Sequence, residues 1–190
     1  MIKRLFPILA FLFVAAAMPV SSAWADDYQN AINVFKKAGE SGTLFKSAYG
    51  YAVFPTIGKA GVGIGGAYGK GRVYEKGRWA GNTSVTQLSV GFQLGGQAYS
   101  EIIFFEDKRA FDDFTSGNFE FGAEASAIAI TAAAGAQANT TGASASASAG
   151  QNDARTAGGY HKGMATFTVA KGGLMYAATV SGQKFRYTRR

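Results

Sequence analysis

His161 is the only histidine in this 190-residue chain, and there is no cysteine. Nucleophilic catalysis through a histidine base, or a His/Cys metal centre, would have to rest on that one imidazole. No carboxylate stands at a spacing that would orient it, so a turn or surface position is the expected place for His161. The acids Glu101, Glu106, Asp107, Asp112 and Asp113 carry the oxygen chemistry of a hard-cation site, but their spacing matches no calcium loop. A solvated helix face accounts for them. Gly61-Val62-Gly63-Ile64-Gly65-Gly66 satisfies the glycine pattern of dinucleotide-binding turns. That chemistry needs a helix immediately afterwards and an acid about 20 residues on. Here the chain continues as strand and turn, with no acid from Gly77 to Gln87. Enzymatic chemistry is the least supported class, and the residues ask for no cofactor.

The remaining chemistry is cationic. The chain opens with Lys3 and Arg4, an apolar run and Ala23-Trp24-Ala25 before Asp26-Asp27. That is the layout of a signal peptide over residues 1–25, which predicts export to a bacterial periplasm. The mature portion, 26–190, is long enough for a single domain with its own core. Without Lys3 and Arg4, 17 cations face 12 acids, a net charge of +5. The excess is concentrated early. Lys36, Lys37, Lys46, Lys59, Lys70, Arg72, Lys76 and Arg78 stand against Glu40 and Glu75 alone. In an exported protein such a half points to anionic lipid head groups rather than nucleic acid. The expected lipid-binding set is Lys36, Lys37, Lys46, Lys59, Lys70 and Arg72, with Phe35, Leu44 and Phe45 as apolar contacts.

These residues need elements to hold them. Tyr28, Ala31, Ile32, Phe35 and Ala38 recur at the spacing of one apolar helix face, with Lys36 and Lys37 in the last turn and Gly39 and Gly42 as stops. Such a helix packs on a sheet or lies on a bilayer with its apolar side down. Strand patterns follow. Tyr51-Ala52-Val53-Phe54 is ended by Pro55, and Glu75-Lys76-Gly77 reads as a turn. Thr86, Leu88, Val90, Phe92 and Leu94 alternate with Gln87, Ser89, Gly91 and Gln93, which predicts that the first set is buried. Asp107 is placed to cap a brief helix whose Ala110, Phe111 and Phe114 face inward. Residues 122–150 are mostly Ala, Ser and Gly, fitting either tightly packed strands or a loop. Closing strands run over 166–187, with Gly172-Gly173 and Ser181-Gly182 as turns. The expected fold is mainly β (α+β): an antiparallel barrel or sandwich with an N-terminal amphipathic helix and a short second helix.

Several stretches in order resemble the SYLF-domain family. They are Ala48-Tyr49-Gly50-Tyr51-Ala52-Val53-Phe54-Pro55, Lys59-Ala60-Gly61-Val62-Gly63-Ile64-Gly65-Gly66 with Tyr68-Gly69-Lys70-Gly71, and Ser89-Val90-Gly91-Phe92-Gln93-Leu94-Gly95-Gly96-Gln97. Phe121-Gly122-Ala123-Glu124-Ala125-Ser126, Lys171-Gly172-Gly173-Leu174-Met175 and Ser181-Gly182 complete the series. Two places depart from the family pattern: Trp79-Ala80-Gly81-Asn82 and Ile130-Thr131-Ala132. The resemblance implies a non-enzymatic phospholipid-binding module, with phosphoinositides as ligands and actin as a further partner among eukaryotic members. Two other classes stay open. One is a small outer-membrane β-barrel, since the mature length suits eight strands of about ten residues. The other is an envelope structural or stress protein acting through an unidentified protein partner.

Overall fold

The computed structural model describes residues 21–91, 96–122, 130–132, 155–157, 159–171 and 182–190. Most of the expected leader, the Ala-Ser alternation at 143–149, Phe92, Leu94 and the Gly172-Gly173 turn lie outside them. The elements run α1 (Ser21–Lys37), α2 (Glu40–Leu44), β1 (Gly50–Glu75), β2 (Arg78–Gly91), β3 (Gly96–Phe105), α3 (Lys108–Thr115), β4 (Asn118–Glu120), β5 (Ile130–Ala132), β6 (Arg155–Ala157), β7 (Met164–Ala170) and β8 (Gln183–Arg189). The main sheet has the order β4-β8-β2-β1-β3-β7, its neighbours antiparallel, and β5 pairs separately with β6.

β1 is two arms rather than one straight strand. Residues 50–60 pair with β3, and residues 63–75 pair with β2. The arms lie against each other: a Cβ on Gly71 would stand 2.6 Å from the Phe54 ring, and one on Gly69 would stand 2.7 Å from Ile57. Lys76 N–H closes the far end by donating to Tyr49 O at 2.9 Å. The chain reverses at 61–65, where Gly61 and Gly65 touch so closely that no side chain fits between them. Counted by arms, the sheet has seven strands curled into a half-barrel, so the expected antiparallel β architecture with an N-terminal helix is present. Its curl brings β3 and β8, which are not sheet neighbours, into side-chain contact across the interior.

Both faces of the sheet are covered where the strands are most apolar. In Ile102-Ile103-Phe104-Phe105 all four side chains are buried. Ile103 and Phe105 point into the half-barrel with Phe54, Val73, Val85 and Phe185. Ile102 and Phe104 point outward with Val53, Phe167 and Val169, beneath Tyr28, Ile32 and Phe35 of α1. α3 plugs one end of the interior, its Phe114 ring 4.9 Å from Phe105 and 5.1 Å from Phe185. Asp107 caps α3 as its sequence position predicts, accepting from Ala110 N–H at 2.8 Å. The Glu75–Arg78 connection is a two-residue hairpin in which Lys76 and Gly77 both take positive φ, 47° and 78°. Pro55 does not end its strand. It is buried at a register shift between Phe54 and Ile57, where a residue without an N–H leaves no ladder donor unpaired.

Candidate functional site

The half-barrel interior turns polar beyond the aromatic plug. Tyr99, Glu101, Thr166, Thr168 and Gln183 are all buried. Gln183 Nε2 donates to Glu101 Oε2 at 2.9 Å and lies 3.4 Å from Tyr99 Oη. Glu101 Oε1 and Gln183 Oε1 have no hydrogen-bond partner among the described residues. Burial pushes the Glu101 carboxyl up to about 8, only partly opposed by the Gln183 bond, and burial raises the Tyr99 phenol as well. Glu101 is therefore an uncharged acid at neutral pH. The carboxylates read together in the sequence are thus separated: Glu101 is interior, while Asp107, Asp112 and Asp113 pair with Lys108 and Arg109 on the exposed side of α3. His161 is exposed at a turn, bridged through its backbone to Met164.

The polar interior has a counterpart outside, and it reverses one expectation. In β2 it is Gln87, not Leu88, that is buried, beside inward-facing Val85. Leu88 is 85% exposed and Thr86 is also exposed. The alternation is correct in period and inverted in phase, because the interior this strand faces accepts a polar side chain. On the same outer face, the register sets Gly66 opposite Leu88 and Ile64 opposite Val90. Gly66 cannot cover its neighbours, so Ile64 stands 74% exposed beside Leu88.

The ladder partners continue this face away from the 61–65 turn. The next row is Tyr68, Thr86, Lys184 and Glu120, the last two ion-paired at 3.5 Å, and the one after it is Lys70, Ser84, Arg186 and Asn118. Tyr68 is 53% exposed, and Lys70, Lys184 and Arg186 are exposed. Rows on one face are about 7 Å apart. The surface therefore grades from aliphatic tip, to tyrosine and lysine, to lysine and arginine, over about 20 Å from Ile64 to Lys70.

The nine residues expected to bind lipid do not converge. Phe35 has zero exposure in the core under α1, so it cannot be a lipid contact. Leu44 and Phe45 are partly buried against the same core; the Phe45 ring meets Phe104 at 4.9 Å and Tyr51 at 5.1 Å. Lys36 is exposed with its ammonium 5.5 Å over the Phe45 ring, and Lys46 is exposed just beyond. Lys37 lines a separate shallow groove with Asp27, Asn30 and Lys171. Lys59 is half-buried in the phase of the interior-facing Ile57, and burial lowers its pKa. Arg72 lies on the outer face but is committed, its guanidinium 4.2 Å from both the Tyr28 and Trp79 rings, where it pins α1 to the sheet. Of the nine, only Lys70 belongs to the graded face. Ile64, Tyr68, Leu88, Lys184 and Arg186, which complete this face, are not among the nine. Ile64 carries a signal in its flanking Gly63, Gly65 and Gly66, whereas Leu88, between Gln87 and Ser89, carries none beyond its place in the alternation.

The family model described as Ysc84, Las17-binding protein actin regulator, matches residues 86–189. Beta cell expansion factor A of Aeromonas veronii is 30% identical over 163 residues, which is 81% of this chain and 51% of that protein. The chain thus spans about half the length of that relative.

Proposed function

The chain belongs to the Ysc84 (SYLF) family, a family of binding modules, and from that membership together with its outer face we propose that it is a non-enzymatic, peripheral binder of anionic phospholipid surfaces at the periplasmic side of a membrane. The observation that carries this reading is the inverted strand: Leu88 and Ile64 face solvent while Gln87 is buried. An isolated exposed leucine needs no explanation, but this pair tops a graded column. With Leu88 and Ile64 among acyl chains, Tyr68 and Lys184 sit at head-group depth and Lys70 and Arg186 at phosphate level. The polar layer of each leaflet is about 7 Å thick, which matches one row spacing. Burying two aliphatic side chains contributes about 4 kcal/mol, and Lys70 and Arg186 near an anionic surface contribute about 1 kcal/mol each, Lys184 being paired with Glu120. A total of about 6 kcal/mol corresponds to a dissociation constant of about 40 μM.

An integral barrel fits this face poorly. The aliphatic rows stop after the tip, and lysines and arginines stand where a lipid-facing belt would have to continue. The family description names actin regulation, and a protein partner is the reading that a negative lipid result would favour.

Flotation with neutral vesicles and with vesicles containing phosphatidylglycerol and cardiolipin tests the proposal. Binding is expected on the anionic vesicles, weakening as salt rises, with Leu88→Ser reducing affinity at least about tenfold. Equal binding by wild type and an Ile64→Ser/Leu88→Ser variant of unchanged stability would overturn it.

A further inference from the structure

A second recess lies at the other end of the β1–β2 arms. From Ile64 to Glu75 the arm runs eleven residues, or about 36 Å. At that end Glu75, Lys76, Arg78, Trp79, Ala80 and Arg189 line a cleft of about 520 Å³. Lys76, Arg78 and Arg189 form no ion pair among the described residues; the described ion pairs are elsewhere, with Lys108, Arg109 and Lys184. The cleft's carboxylate is already engaged, since Glu75 Oε1 accepts from Tyr49 Oη at 2.6 Å. Trp79 is a rigid wall. Its ring lies 4.2 Å from the Arg72 guanidinium and 4.4 Å from that of Arg190, and its Nε1 donates to Gly81 O at 3.0 Å. Lys76 is placed by its left-handed backbone, with Nζ 5.1 Å over the Tyr49 ring. Three cations against the single Glu75 carboxylate, which stands opposite Arg78 in the ladder, leave the cleft net positive, and an anion seated among the cations relieves their remaining repulsion.

The geometry points to a phosphate-binding cleft at this hairpin, distinct from the lipid-facing tip and independent of it. Arg78 and Arg189 supply guanidinium forks that match phosphate oxygens, and Lys76 adds a point charge. The phosphate can come from a soluble ester or from a head group on a second surface, because the cleft and the tip lie at opposite ends of the arms.

The full chain is titrated with inorganic phosphate and glycerol 3-phosphate while the Trp79 indole N–H is followed by NMR, assigned with Trp79→Phe. A saturable shift is expected with either, and it should weaken at least about tenfold in Arg78→Ala/Arg189→Ala. Leu88→Ser should leave it unchanged. Chloride at matched ionic strength is the control; an equal shift with chloride, or retention of the shift in the double arginine variant, overturns the proposal. A source in a second membrane predicts aggregation of phosphatidic acid vesicles by wild type and its loss in the double arginine variant. A soluble source predicts no aggregation and an unchanged glycerol 3-phosphate titration in the presence of those vesicles.

Discussion

Glu101 shows how one residue can make stability depend on pH in the direction opposite to most acids. Its carboxyl is buried, has no partner at Oε1 among the described residues, and is raised to about 8 from an ordinary 4.5. Between those two values the folded chain keeps the proton that the unfolded chain has released. The folded state then binds more protons, so Glu101's contribution to stability is complete below about pH 4.5 and is lost as pH rises toward 8. Urea unfolding from pH 5 to 9 should show the wild-type midpoint falling across this window. Glu101→Gln keeps an acceptor for Gln183 and removes the titration, so its midpoint should hold nearly constant and exceed wild type by a growing margin. The same slope in both proteins would refute the assignment. The comparison cancels every titrating group that the two chains share.

Elements differ in how much of their placement the sequence carries. The period of α1 is legible from Tyr28 to Ala38 because a helix face repeats its apolar residues at three and four. What the face packs on is not legible from period alone, since a sheet and a bilayer reward the same pattern. The structure resolves this for Phe35, which is sealed against Val53, Ile102, Phe104 and Phe167. Phe35→Ala should therefore cost about 3–5 kcal/mol of folding stability, measured by denaturant unfolding, while the vesicle affinity of the folded protein stays unchanged. A helix that bound lipid through Phe35 would show the reverse, with affinity lost and stability kept. β2 fails in the complementary way. Its alternation is legible, but a one-residue change of phase exchanges its faces, and only the rest of the barrel decides which is inside. Here the interior contains Tyr99, Glu101 and Gln183, so Gln87 is tolerated inward and Leu88 is left out. α3 was the easiest to read, because its cap and its inward aromatics lie within eight residues of one another.

At the scale of the whole molecule, the two arms of β1 and the length of β2 set an axis with unlike ends. Ile64 and Leu88 form one end, while Trp79 stands at the other with Arg72 and Arg190 against its ring. Nine residues of extended strand separate Leu88 from Trp79, about 30 Å. A bilayer that takes up the tip cannot bring its acyl chains to Trp79, because the polar layer of a leaflet is only about 7 Å deep. Trp79 is thus a native reporter of orientation. In a Trp24→Phe background, vesicles with brominated acyl chains should leave Trp79 fluorescence nearly unquenched at saturating lipid. Moving the fluorophore to the graded face, as Tyr68→Trp with Trp79→Phe, should give strong quenching from a residue one row away from Leu88. Binding through the α1 side, where Lys36 and Lys46 flank Phe45, predicts instead that neither position is quenched. Quenching of Trp79 alone would place its cleft, and the phosphate-binding end of the molecule, against the membrane in place of the tip.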